Sequence, residues 1–239
     1  MSVMNNDILF IVPSRGRPEN VSALIAEWDE VTMFANLLIA VDEDDPFLAE
    51  YQAVEKKWSG SNRDWLLPFR YAPRHEMRLS GTLNALAVEY ASKYFAIGFM
   101  GDDHRPRTVG WDASLLSAMA MLGTGMAYGD DELQGRALPT AIAMTSDMIE
   151  AMGYMVPPGC IHLFFDNMWL WLGRELGRIT YCEQVIIEHL HPIAGKSDVD
   201  DGYVENNSTT MYAHDEAAYK RWLAEDAMNA LDAIRSVMV

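Results

Sequence analysis

Residues 101–106 read Gly-Asp-Asp-His-Arg-Pro, so that Asp102 and Asp103 stand side by side directly after an apolar run. Adjacent carboxylates at the end of a buried strand suit a hard divalent cation such as Mg²⁺ or Mn²⁺, which takes oxygen ligands. Two other stretches have the same character. "PSRGRP" (13–18) presents Ser14, Arg15 and Arg17 after one apolar run, and "DEDDP" (42–46) presents Asp42 and Asp44 after another. Guanidinium groups meet phosphate oxygens through paired hydrogen bonds. Carboxylates beside arginines therefore suit a metal-diphosphate ligand. Each stretch taken singly also reads as a solvated turn, because Pro, Gly, Asp and Ser favour turns for local reasons.

Two downstream features extend the set. "EHLHP" places His189 and His191 two residues apart near a strand end, an arrangement that directs both imidazoles to one face and offers two nitrogens to a metal. The same pair also fits a structural or surface role. Asp166 precedes an apolar helical stretch, where an aspartate serves as an N-cap or, facing a pocket, as a general base.

The elements needed to hold these groups follow from hydrophobic periodicity. Continuous apolar runs at 7–12, 36–41 and 96–100 predict strands covered on both faces, and helical spacing over 18–31, 46–58 and 81–94 predicts the crossovers between them. Strand alternating with helix implies a parallel sheet, whose ligand crevice lies at the carboxyl ends of the strands. Further on, 110–122 and 166–177 read as helices, 125–129 as a short strand, and 138–153 as a strand leading into a helix. Residues 179–192 read as a long strand or bent pair. The polar segment 201–210 reads as a loop, and 214–239 as one amphipathic helix with Asp215 near its start.

Composition narrows the partners. The chain has 239 residues and a formal net charge of −17, so most of its surface repels a phosphate backbone and extended nucleic-acid binding is disfavoured. Arginines nevertheless cluster at 15/17, 70/74/78 and 105/107, which keeps a compact phosphorylated ligand in play. Two cysteines make no disulfide framework, and no apolar run approaches the ~18 residues of a membrane span. A soluble, cytoplasmic protein without membrane partners is expected.

The ordered set "ILFIVPSRGRPENV", "LLIAVDEDDP" and "GTLNALAVEYASKYFAIGFMGDDHRP" resembles the nucleotide-binding half of GT-A-fold glycosyltransferases, in particular the large inverting family of bacterial and phage type. The resemblance covers about 7–195. It implies an α/β, Rossmann-like fold with a mostly parallel central sheet flanked by helices and a C-terminal helical extension. The GT-A domain would span 1–195, with a nucleotide-binding half over 1–106 and an acceptor half over 107–195. Residues 196–239 would add a flexible loop and a helix packed on the same domain.

Residue by residue, the resemblance implies that Pro13, Ser14, Arg15 and Arg17 line the nucleotide pocket and that Asp42 and Asp44 lie near the base or ribose. Arg78 and Asn84, either side of Gly81, would approach the nucleotide. Asp102 would approach the ribose or diphosphate, and Asp103 would hold Mn²⁺ or Mg²⁺ with His189 or His191. Lys196 would reach the diphosphate, and Asp166 would be the catalytic base. Gly101 stands where the family's DXD-type motif has its first aspartate, and Phe165 where it usually has an acid. The implied reaction is metal-dependent sugar transfer from a nucleotide-diphosphate sugar, UDP-sugar favoured, to a hydroxyl of a glycan, protein or modified nucleobase, with inversion. The polar segment 197–210 would close as a lid. A metal-dependent hydrolase of nucleotide sugars and a catalytically inactive nucleotide-sugar-binding protein are the alternatives.

Overall fold

The computed structural model describes residues 7–59 and 63–238. Strands β1 (Ile8–Ser14), β2 (Asn36–Asp42), β3 (Arg70–Ala72) and β4 (Ala96–Phe99) alternate with helices α1 (Pro18–Val31), α2 (Leu48–Ser59) and α3 (Arg78–Ala91). After them come β5 (His104–Pro106), α4 (Trp111–Leu122), β6 (Met126–Asp130), β7 (Ile142–Thr145), α5 (Ser146–Met152), α6 (Phe165–Leu176) and β8 (Ile179–His189). The chain then runs into α7 (Asp201–Asn206), α8 (Thr209–Glu225) and α9 (Ala227–Val237).

The strands form one eight-stranded sheet in the order β3-β2-β1-β4-β7-β6-β8-β5. Pairings β2/β3, β1/β2, β1/β4 and β6/β8 are parallel, whereas β7 runs antiparallel to β4 and β6, and β5 antiparallel to β8. The continuous apolar run of β1 follows from cover on both faces. Leu9 and Ile11 join the core beneath α3, α5 and α6, while Ile8, Phe10 and Val12 join the core beneath α1 and α4. On the latter side Phe10, Trp28 and Trp111 pack ring against ring. Gly98 in β4 is required there, since a Cβ would collide with the Phe10 ring.

Two features of the C-terminal region differ from the sequence reading. Segment 201–210 is not a loop: Asp200 caps α7 by accepting from Tyr203 N–H at 2.7 Å, and Ser208 caps α8 by accepting from Met211 N–H at 3.3 Å. Good cap residues inside a polar stretch make short helices that composition alone reads as loop. The tail is also not one helix, because the backbone breaks at Asp226 (φ −116°, ψ −25°). The break lets Trp222 of α8 and Leu231 and Ile234 of α9 enter one core that also holds Met148 and Ile149 of α5. No helix among the described residues is long and apolar enough to cross a membrane.

Candidate active site

Because β1, β2 and β4 are parallel neighbours, the turns after them lie side by side at one edge of the sheet. A relay of hydroxyls ties the first turn to the third. Arg17 N–H donates to Tyr51 Oη (2.8 Å), Tyr51 Oη lies 2.7 Å from Ser14 Oγ, and Ser14 Oγ donates to Asp102 Oδ2 (2.5 Å). Burial and the neighbouring Asp103 push Asp102 up to about 6, while Arg17, 3.4 Å from its Oδ1, works the other way. Asp102 thus frames the crevice, with both of its oxygens engaged by protein.

Asp103 looks the other way, toward two imidazoles. Its Oδ1 is 3.1 Å from His104 Nδ1 and its Oδ2 is 3.5 Å from His189 Nε2. The two rings stack at 4.1 Å, since His104 and His189 are direct cross-strand partners of β5 and β8. Backbone bonds lock this register: His189 N–H donates to the Asp131 carbonyl (3.0 Å) and Leu190 N–H to the Asp103 carbonyl (2.9 Å). One ligand atom from each of Asp103, His104 and His189 falls within 4.8 Å of the others.

The donor set fits a divalent metal. Among the described residues, His189 Nδ1 is buried without a hydrogen-bond partner. At Gly101 a Cβ would stand 2.5 Å from Asp103 Oδ1 and 3.1 Å from His104 Nδ1, and Gly101 N–H donates to that nitrogen. A second aspartate at this position would therefore displace both groups. His104 takes up the space instead.

The β2 side of the crevice is built from partly exposed ion pairs. Arg15 Nη1 reaches Asp42 Oδ2 (2.9 Å) and Asp44 Oδ1 (2.6 Å), with Arg74 Nε 3.6 Å from Asp42 Oδ2. Between β2, β3 and α3 lies a cavity of about 120 Å³ lined by Asp42, Arg70, Pro73, His75, Thr82 and Glu89. Gly81 leaves room for the His75 ring, which a Cβ would strike.

On the far side, Asp166 is the second residue of α6 and does not cap it. Its Oδ1 accepts from Asn167 N–H (2.8 Å), and burial pushes it up to about 6, partly offset by that bond and by His189. The loop before it is held from α8: fully buried Asp215 accepts from Ile161, His162 and Leu163 N–H at 2.9, 2.7 and 2.7 Å. Among the described residues, the non-glycine positions with positive φ are Arg78 (48°), Glu132 (56°) and Phe164 (68°). All three lie within two positions of a residue of this crevice, where strain is commonly stored.

Several residues named from the sequence have other partners. His191 lies beyond the end of β8, and its Nδ1 accepts from Ile193 N–H (3.2 Å) while its ring packs edge-on against His189. Lys196 pairs with Glu132 (2.9 Å) and Glu188 (2.7 Å). The Asn84 amide binds the backbone of Met155 and Val156, joining α3 to the segment after α5. Pro13 lies within β1, half-buried. Of the arginine clusters, Arg105 is buried against the Asp102 and His104 carbonyls, and Arg107 faces Glu27 and Glu188. Both cysteines are free and buried.

The sequence reading passed over four contributors. These are His104, Asp131, and the α7 acids Asp200 and Glu205, which pair with Arg17 (2.6 and 2.8 Å) and Arg78 (2.6 Å). His104 alone carried a local signal, its place directly after the paired carboxylates.

No known protein family and no curated protein matches the sequence. Solved structures do match in fold. A mannosyltransferase from Pyrobaculum calidifontis, solved with GDP-Man and Mn²⁺, superposes with a TM-score of 0.61 at 10% identity over 96% of this chain and 73% of that one. Glucosyl-3-phosphoglycerate synthase from Mycobacterium tuberculosis, solved with Mn²⁺, UDP and phosphoglyceric acid, gives 0.55 at 12% over 90% and 78%. A 4-diphosphocytidyl-2C-methyl-D-erythritol synthase from Anaerococcus prevotii gives 0.50 at 8% over 90% and 97%. The chain has the GT-A, Rossmann-like fold of nucleotide-diphospho-sugar transferases, as the sequence resemblance implied.

Proposed function

We propose that the chain is a metal-dependent glycosyltransferase that moves a sugar from a nucleotide-diphosphate sugar, UDP-sugar favoured, to a hydroxyl acceptor with inversion. The observation that carries this reading is the convergence of Asp103, His104 and His189 at the crevice edge, beside Arg17 and within electrostatic reach of Asp166. Asp103, His104 and His189 would hold the ion. Two imidazole nitrogens with one carboxylate favour a transition metal, and so Mn²⁺ over Mg²⁺. A divalent ion bound there supplies Lewis-acid stabilisation for the charge that builds on a departing diphosphate.

The chain's own groups do the remainder. The acceptor oxygen attacks the anomeric carbon, the bond from that carbon to the diphosphate oxygen breaks, and the acceptor proton passes to the Asp166 carboxylate. A base tuned to about 6 is mostly ionised at neutral pH yet still basic enough to take that proton. Inversion follows from a single displacement. Arg17 and Arg78 would meet the diphosphate, and the cavity beside Asp42 would take the base. In the structure Asp200 and Glu205 occupy both arginines, so α7 is read as a lid whose acids exchange with the diphosphate. Asp102, Asn84 and Lys196 take supporting roles, with Asp44 and Arg15 at the rim.

Thermal-shift measurement with UDP-sugars, with and without Mn²⁺, tests the reading, because a ligand of the native state raises stability by mass action. A rise that needs both components is expected, and no rise with any nucleotide sugar overturns it. Release of nucleotide at full rate without an acceptor would instead identify a hydrolase. Metal-independent binding without turnover would identify an inactive binding protein.

A further inference from the structure

The cluster of Asp103, His104 and His189 has a second ring of polar groups that the proposed chemistry does not use. Each imidazole turns one nitrogen to Asp103 and the other toward a single buried carboxylate, Asp131. His189 Nδ1 lies 4.0 Å from Asp131 Oδ2, too far for a hydrogen bond but with no hydrogen-bond partner among the described residues. His104 reaches the same oxygen in two links: its Nε2 is 3.4 Å from Thr140 Oγ1, and Thr140 donates to Asp131 Oδ2 at 2.7 Å. Donor logic orients the second chain. The Thr140 proton points at Asp131, so Thr140 accepts from His104 Nε2–H, and His104 Nδ1 carries the lone pair that meets Gly101 N–H and faces Asp103.

Resting on the metal reading above, we infer that Asp131 is a positioning residue for the metal centre. It acts on His189 by charge across 4.0 Å and on His104 through Thr140, favouring the tautomer that leaves a lone pair for an ion beside Asp103: Nδ1–H for His189 and Nε2–H for His104. A carboxylate behind a metal-binding imidazole fixes ring orientation and tautomer in this way. Asp131 is built for the task. Its Oδ1 accepts from the N–H groups of Leu133 (3.0 Å), Gln134 (2.6 Å) and Gly135 (2.8 Å), across a turn in which Glu132 adopts φ 56°. Those bonds leave Oδ2 to face the histidines. Burial opposes its charge, but Thr140 and the three backbone donors hold it below the ordinary carboxylate value.

A role confined to holding its own turn would leave the imidazoles unaffected, so the test reads the rings and the metal. Long-range ¹H–¹⁵N NMR of the full, metal-free chain reports the tautomer of each histidine, and Mn²⁺ titration followed by EPR reports affinity, for wild type, Thr140→Val and Asp131→Asn. Thr140→Val leaves the bonds of the turn in place, which keeps the test valid if Asp131→Asn fails to fold. The expected result is the named tautomers in wild type, loss of the single His104 tautomer in Thr140→Val, and Mn²⁺ affinity lowered about 10-fold there and about 10- to 100-fold in Asp131→Asn. Opposite tautomers in wild type, or Mn²⁺ affinities of both variants within about twofold of wild type, overturn the inference alone. A wild-type chain that binds no Mn²⁺ overturns the metal reading and the inference with it.

Discussion

The two ends of the crevice use the same residue types in opposite ways. At the β2 end Arg15 joins Asp42 and Asp44 near the rim, with Asp44 59%, Arg15 33% and Asp42 20% exposed. At the β5 end Asp102 is 7% exposed, His104 4%, His189 14% and Asp103 20%. Exposed pairs contribute little and are screened by salt, whereas buried groups are costly to leave unpaired and so hold one geometry. The Asp103 end is therefore held in one geometry. The Arg15 end is freer to rearrange.

Asp103→Ala is expected to abolish Mn²⁺-dependent stabilisation and lower transfer by about 10³-fold or more; a thermal shift with UDP-sugar and Mn²⁺ equal to wild type would refute the assignment. Asp166→Asn is expected to keep donor affinity and lose about 10²- to 10⁴-fold in kcat. Its pKa is raised, so the active ionised form disappears as pH falls through about 6. The wild-type kcat profile should show an acid limb with a midpoint near that value, and a flat profile from pH 5 to 8 would remove Asp166 as base.

Smaller effects are expected at the exposed rim. Asp200→Asn removes the acid that competes for Arg17 and should tighten nucleotide-diphosphate binding about 2- to 5-fold by calorimetry; weaker binding would mean that Asp200 serves the ligand directly. Arg15→Ala should change affinity by less than about 1 kcal/mol, an effect that 0.5 M salt erases. A large, salt-insensitive loss would place Arg15 with the buried end.

Local chemistry made much of this legible. Buried strands announce themselves as apolar runs, so the ends of β1, β2 and β4, and with them Ser14, Arg17, Asp42 and Asp103, could be located before any coordinates. The helices of segment 201–210 were not legible, because they rest on two cap residues, Asp200 and Ser208, within a stretch whose polar composition otherwise reads as loop. Asp131 was hidden for a different reason. In "GDDELQGRA" it looks like any turn aspartate, and nothing nearby marks its approach to a histidine 58 positions on.

The sequence by itself determined which residues end which strands, since burial of apolar side chains against water is readable from composition and spacing. Tertiary structure alone decided which distant groups meet. The antiparallel register of β5 on β8 sets His104 against His189 and so brings both to Asp103. Register is a property of two segments some 80 residues apart, and although the pattern of buried side chains biases it, a strand as short as β5 carries too little of that pattern to name its partner.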